Sequence, residues 1–111
     1  DIAINAGFFR IDFDKSIDGK PSGTLIIKGK IYQVKNFKQA LVVIRQGVLS
    51  ITQANPKTIM TATSSIVSGI PILINHGGIS PEIARKTSSY YLGRHARTAV
   101  GVRADGFVVL V

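Results

Sequence analysis

The chain has 111 residues, 45% of them hydrophobic and 18% charged, with a net charge of +8 and no cysteine. That length fits a single domain over 1–111, and this apolar share excludes a disordered chain. Lack of cysteine excludes a disulfide framework and a thiolate metal centre, and no apolar run approaches the roughly 18–20 residues of a membrane span.

Residues 1–9 predict a strand that runs into a turn at Gly7, followed by a polar loop over 10–22 with Asp18-Gly19 as its turn signal. Short β-branched runs at 24–27 and 31–34 flank Lys28-Gly29-Lys30, and runs at 40–45 and 48–52 flank Gln46-Gly47. Both patterns predict hairpins, and together they predict an antiparallel meander. Asn55 and Pro56 then carry the cap and first-turn chemistry of a helix. Ile59, Ala62, Thr63, Ile66 and Val67 share one helical face, which predicts a helix over 56–68 with Gly69 ending it. Beyond it come a short strand over 70–75 closed by His76-Gly77-Gly78, a helical turn behind Pro81, and a last hairpin of 98–103 and 107–111 around Asp105-Gly106. The fold class is α+β, mainly antiparallel short strands and hairpins with one helix. The chain opens on Asp1 rather than Met and closes on the apolar run Phe107 to Val111, which has no polar exit. Both ends predict an incomplete domain, cut from a longer chain inside a buried strand.

The charge is uneven. Lys20, Lys28, Lys30, Lys35, Lys38, Arg45 and Lys57 lie between Gly19 and Pro81, a stretch with no acid. Such a field attracts anions without choosing among phosphates, nucleic acids and acidic glycans. Nucleic acid is disfavoured, because Tyr32 and Phe37 are the only aromatics among these cations and no module spacing is present.

Asp12, Asp14, Ser16 and Asp18 alternate like the start of a calcium loop, but Ile17 and Gly23 stand where the loop needs glycine and glutamate. His76 and His95 have no partner ligand at helical spacing, so neither a metal nor another cofactor is predicted. Phosphate-loop, dinucleotide and serine-elbow signatures are missing. Six acids, three of them in one loop, offer no convincing pair of catalytic carboxylates, so the catalytic residues stay unassigned. His76 follows a strand in a glycine-rich loop, where it is either a functional group or a plain turn residue. Arg97 precedes the apolar Thr98-Ala99-Val100-Gly101 run, read as a buried strand. A cation there needs an anion, either Asp105 in an internal salt bridge or a bound ligand held by the guanidinium fork. Asn5 either serves a pocket or satisfies a neighbouring turn.

Four segments in order carry a resemblance: Asn5-Ala6-Gly7-Phe8-Phe9; Gly19-Lys20-Pro21-Ser22-Gly23 on to Gly29; Gly69 to Gly77 with Asn75-His76 near its end; and Arg94-His95-Ala96-Arg97-Thr98-Ala99-Val100-Gly101 followed by Asp105-Gly106. Together they resemble the phosphodiester glycosidase family, whose bacterial members are often labelled exopolysaccharide-biosynthesis proteins. The resemblance implies a glycoside hydrolase that cleaves the sugar–phosphate link of a sugar-1-phosphodiester and releases a capping sugar such as N-acetylglucosamine. It implies that Asn5, Gly7, His76, Gly77, Arg94 and Arg97 bind the anionic sugar-phosphate substrate, with Arg97 on the phosphate and Asn5 on sugar or phosphate oxygens. Family members continue past the last strand into a glycine-rich, aspartate-containing second half. The resemblance therefore implies a partner segment of the same fold C-terminal to this one, and it favours an extracytoplasmic or secreted setting. The alternative function is a non-catalytic basic module that binds acidic glycans or polymers through the cations of residues 20–57.

Overall fold

The structure is a computed structural model and describes residues 7, 9, 19–85 and 89–111. The strand expected over 1–9 and the acidic loop with Asp12, Asp14 and Asp18 lie outside the described residues, apart from Gly7 and Phe9. The elements are β1 (Leu25–Ile27), β2 (Lys30–Gln33), β3 (Gln39–Arg45), β4 (Val48–Ala54), α1 (Pro56–Ile59), β5 (Ser65–Gly69), β6 (Ile74–Asn75), β7 (Gly78–Ile79), α2 (Pro81–Ala84), α3 (Ser89–Leu92), β8 (Val100–Val102) and β9 (Val108–Leu110). The fold class is α+β, mostly antiparallel strands in small sheets with short helices, as the sequence implies.

The expected hairpins form where the turn chemistry puts them. Lys28-Gly29 joins β1 to β2 and Gln46-Gly47 joins β3 to β4. In each turn both residues take positive φ (47° and 79°, 48° and 77°), the two-residue geometry that matches strand twist. The strand order, however, is β2-β1-β5-β3-β4, so the meander is corrected. β5 inserts between the two hairpins and pairs antiparallel with both β1 and β3.

That insertion also corrects the helix over 56–68. Asn55 caps as expected, its Oδ1 accepting from the Lys57 backbone N–H at 3.0 Å. The helix then stops after one turn, because Met60 is extended (φ −69°, ψ 145°). The next residues, Thr61-Ala62-Thr63-Ser64-Ser65, are mostly poor helix formers. Ser64 is fully buried, and its hydroxyl accepts from the Thr61 N–H at 2.8 Å and donates to the Thr61 carbonyl at 3.0 Å, replacing helical bonds with a local loop. Ile66 and Val67 fit a strand as well as a helix by spacing. Burial in the middle of the sheet decides the matter.

The register aligns Val43, Ile66 and Ile26 across three neighbouring strands, and with Leu41 they form the buried core. Val34, Ala54 and Ile59 pack against them, so α1 and the 34–38 loop cover this inner face. Full burial of such side chains stabilises the fold by about 1.5–3 kcal/mol each. The outer face is apolar too. Val42, Val67, Leu25 and Ile51 lie in one row across it, and Ile27, Ile44 and Ile51 are 45%, 43% and 38% exposed.

β8 and β9 form the expected terminal hairpin, and β8 packs against β4. The expectation of a buried strand there is corrected. Val108, Val109 and Leu110 all remain about two-fifths exposed, although β8 packs against β4. No described helix is long and apolar enough to cross a membrane.

Candidate functional site

β1 and β3 begin, and β2, β4 and β5 end, at the same side of the five-stranded sheet. The Gly19-Lys20-Pro21-Ser22-Gly23 segment leads into β1 there, and Pro21 bridges to Phe9. An open recess of about 160 Å³ forms at this end, lined chiefly by Gly7, Gly19, Gly23, Thr24, Val67 and Ser68. Small-molecule pockets run to roughly 300–1,000 Å³, so this recess has room for only one small group.

Its floor is fixed by a cross-strand hydroxyl network. The Thr24 N–H donates to Ser68 Oγ at 2.9 Å, and the Ser68 N–H donates to the Thr24 carbonyl at 3.0 Å. Gly23 is required beside this pair, because a Cβ there would lie 2.0 Å from Ser68 Oγ. Thr24 is buried, and its Oγ1 accepts from Gln39 Nε2 at 3.2 Å and from the Lys35 N–H at 3.1 Å. A buried hydroxyl with its bonds met is a rigid anchor, and this one ties the recess to the 34–38 loop. Thr24 and Ser68 carry no signal in the sequence. Ser68 is hidden there inside the expected helix.

Two of the four sequence segments meet at the recess, since Gly7 and Phe9 line it together with Gly19, Pro21 and Gly23. The Gly7 backbone sits close to β5, where a Cβ would come within 3.3 Å of Val67 Cγ2. Asn5 lies outside the described residues. His76 and Gly77 form the two-residue turn between β6 and β7, with φ of 50° and 78°, and both are exposed. Arg94 and Arg97 lie in the exposed, non-helical 94–99 segment between α3 and β8. Arg97 Nη2 donates to the Tyr91 carbonyl at 3.5 Å, at the outer limit of a hydrogen bond. The His76-Gly77 turn, Arg94 and Arg97 are not among the residues that line the recess.

The Arg97–Asp105 salt bridge is corrected in favour of Arg103, whose Nη2 lies 2.7 Å from Asp105 Oδ2. Arg103 and Asp105 face each other across the tight β8–β9 turn. Asp105 Oδ1 also accepts from the Phe107 N–H at 3.3 Å, so turn geometry commits this carboxylate locally. Glu82, the other described acid, accepts from the Ile72 N–H at 3.2 Å and fastens α2 to the segment before β6. No three metal-ligating side chains gather among the described residues.

A family model described as phosphodiester glycosidase matches residues 1–111. A stretch of 58 residues is 41% identical to the "Uncharacterized protein RC0079" of Rickettsia conorii, covering 52% of this chain and 20% of that protein. This chain thus spans only a minor part of the curated relative's length. No solved structure matches the chain. A family match over every one of its 111 residues means that the chain belongs to the phosphodiester glycosidase family, whose name denotes glycosidase-type hydrolases.

Proposed function

We propose that the protein hydrolyses the glycosyl–phosphate bond of a sugar-1-phosphodiester and releases a capping sugar such as N-acetylglucosamine, in exopolysaccharide or other glycan processing. The observation that carries this reading is the family match over the whole of 1–111. Asn5, Gly7, His76, Gly77, Arg94 and Arg97 are the proposed substrate-binding residues. Gly7 opens the recess wall to a ring or phosphate oxygen. Arg97 holds the phosphate, because departure of a phosphomonoester leaves charge that a guanidinium fork stabilises. The His76-Gly77 turn supplies an exposed imidazole and a side chain-free backbone toward the same substrate. The apolar outer face of the sheet and the β8–β9 hairpin are covered, in this reading, by further chain of the same protein.

A comparison of leaving groups tests the reading. The full-length gene product is incubated with a panel of methyl phosphodiesters of sugar 1-phosphates, N-acetylglucosamine included, and with the neutral nitrophenyl glycosides of the same sugars. Free sugar is expected from a phosphodiester at a rate at least about 100-fold above that of its nitrophenyl glycoside. Equal rates on the neutral glycosides, or no release from any phosphodiester, would overturn it.

A further inference from the structure

At the recess end of the sheet, two loops cross. Asn55 Nδ2 donates to Asn36 Oδ1 at 3.0 Å, which joins the 34–38 loop to the start of α1. This bond brings together the chain positions of Lys35, Lys38 and Lys57. None of the three ammonium groups forms an ion pair among the described residues, and no acid occurs between Gly19 and Pro81 to neutralise them. Phe37 stands between Lys35 and Lys38 with 59% of its surface exposed. The Lys35 backbone is hydrogen-bonded to Thr24 Oγ1, and Thr24 lines the recess. The 34–38 loop is therefore anchored to a residue that lines the recess.

We propose that Lys35, Lys38 and Lys57, with Phe37 among them, form a docking surface for an acidic polysaccharide whose capped end enters the recess. The inference rests on the hydrolase reading above and names its substrate class: the capping sugar is removed from a polyanionic glycan rather than from a small soluble diester. The lysines meet the repeated anionic groups of the polymer. The exposed Phe37 ring packs against the apolar C–H face of a sugar. Several separated cations on one surface suit a chain with repeated charge better than a single phosphate, which one arginine already satisfies.

Binding and turnover separate this inference from the reading beneath it. The full-length gene product is titrated with polygalacturonate, uncharged dextran, phosphatidylglycerol vesicles and duplex DNA over a salt series. Polygalacturonate is expected to bind most tightly and to weaken steeply with salt, with dextran silent. The Lys35→Gln/Lys38→Gln/Lys57→Gln variant loses about 100-fold in affinity, roughly a factor of five for each cation removed. All three side chains sit on loops or helix ends, and an unchanged melting curve checks the fold. Phe37→Ser is expected to weaken polygalacturonate binding without changing its salt slope. In both variants, release of sugar from a small methyl phosphodiester stays at the parent rate. Polygalacturonate binding that ignores salt or the lysine variant, or tighter binding to vesicles or DNA, would overturn the docking surface while leaving the hydrolase reading intact. Failure of the small diester to react, with salt-dependent polygalacturonate binding intact, would overturn the hydrolase reading and with it the claim that the polymer is a substrate, while the docking surface itself would stand.

Discussion

Arg97→Ala is expected to abolish most turnover of a sugar-1-phosphodiester while leaving the fold unchanged. Removing a single preorganised group that stabilises developing negative charge lowers turnover by about 10²–10³. Arg97 is exposed between α3 and β8, so the alanine variant is expected to stay folded. Arg97→Lys keeps the charge and loses the two-pronged fork, so its turnover falls between the parent and the alanine variant. The measurement is kcat/KM on the full-length gene product beside a thermal melt. A folded alanine variant with parental kcat/KM would remove Arg97 from the site. Arg103 provides the contrast. Its guanidinium is engaged by Asp105 across the β8–β9 turn, so Arg103→Ala touches the hairpin and not the phosphate.

The second large effect concerns stability and tests the strand order. Gly29 closes the β1–β2 turn at φ 79°, and its N–H donates to the Ser64 carbonyl at 2.9 Å. A Cβ at this position would lie 1.9 Å from the Ala62 carbonyl oxygen, a backbone atom with little room to yield. Gly29→Ala therefore combines left-handed strain of about 1 kcal/mol with displacement of the 60–64 loop, for a total loss of about 3 kcal/mol or more. Gly47 is the control. It has nearly the same φ, 77°, with nothing within 4 Å of its Cβ position, so Gly47→Ala shows the strain alone, about 1 kcal/mol. Urea midpoints of the two variants measure the difference. Equal losses would mean that the 60–64 loop does not lie over the first hairpin, and so that β5 does not follow it into the sheet.

The limits of sequence reasoning fall along the line between local and distant contacts. The three glycine hairpins are legible because a turn is decided by two or four adjacent residues. The Asn55 cap and Pro56 start are legible for the same reason. The stretch behind that cap is not legible, because Ile59, Ala62, Thr63, Ile66 and Val67 satisfy a helical period as well as a loop and a strand. The choice is made by pairing with β1 and β3, whose partner residues lie more than 20 positions away in the chain. The same insertion of β5 hides the meander's failure and places Ser68 beside Thr24, 44 residues apart in sequence. The glycine segments around Gly7 and Gly19 are legible as a pair and meet at the recess, but the hydroxyls that hold it are not. Asp105 is legible as an arginine's partner. Which arginine it takes depends on the two-residue reach of the turn, and that favours Arg103 over Arg97.

The central claim is that this protein breaks the bond between sugar and phosphate from the sugar side. The fate of the water oxygen reports on this directly. The full-length gene product is allowed to cleave a methyl phosphodiester of a sugar 1-phosphate in water enriched in oxygen-18, and the released methyl phosphate is weighed by mass spectrometry. A glycosidase adds water at the anomeric carbon, so the account predicts methyl phosphate without label. Label in the phosphate would mean attack at phosphorus, which would make the protein a phosphodiesterase and contradict the account.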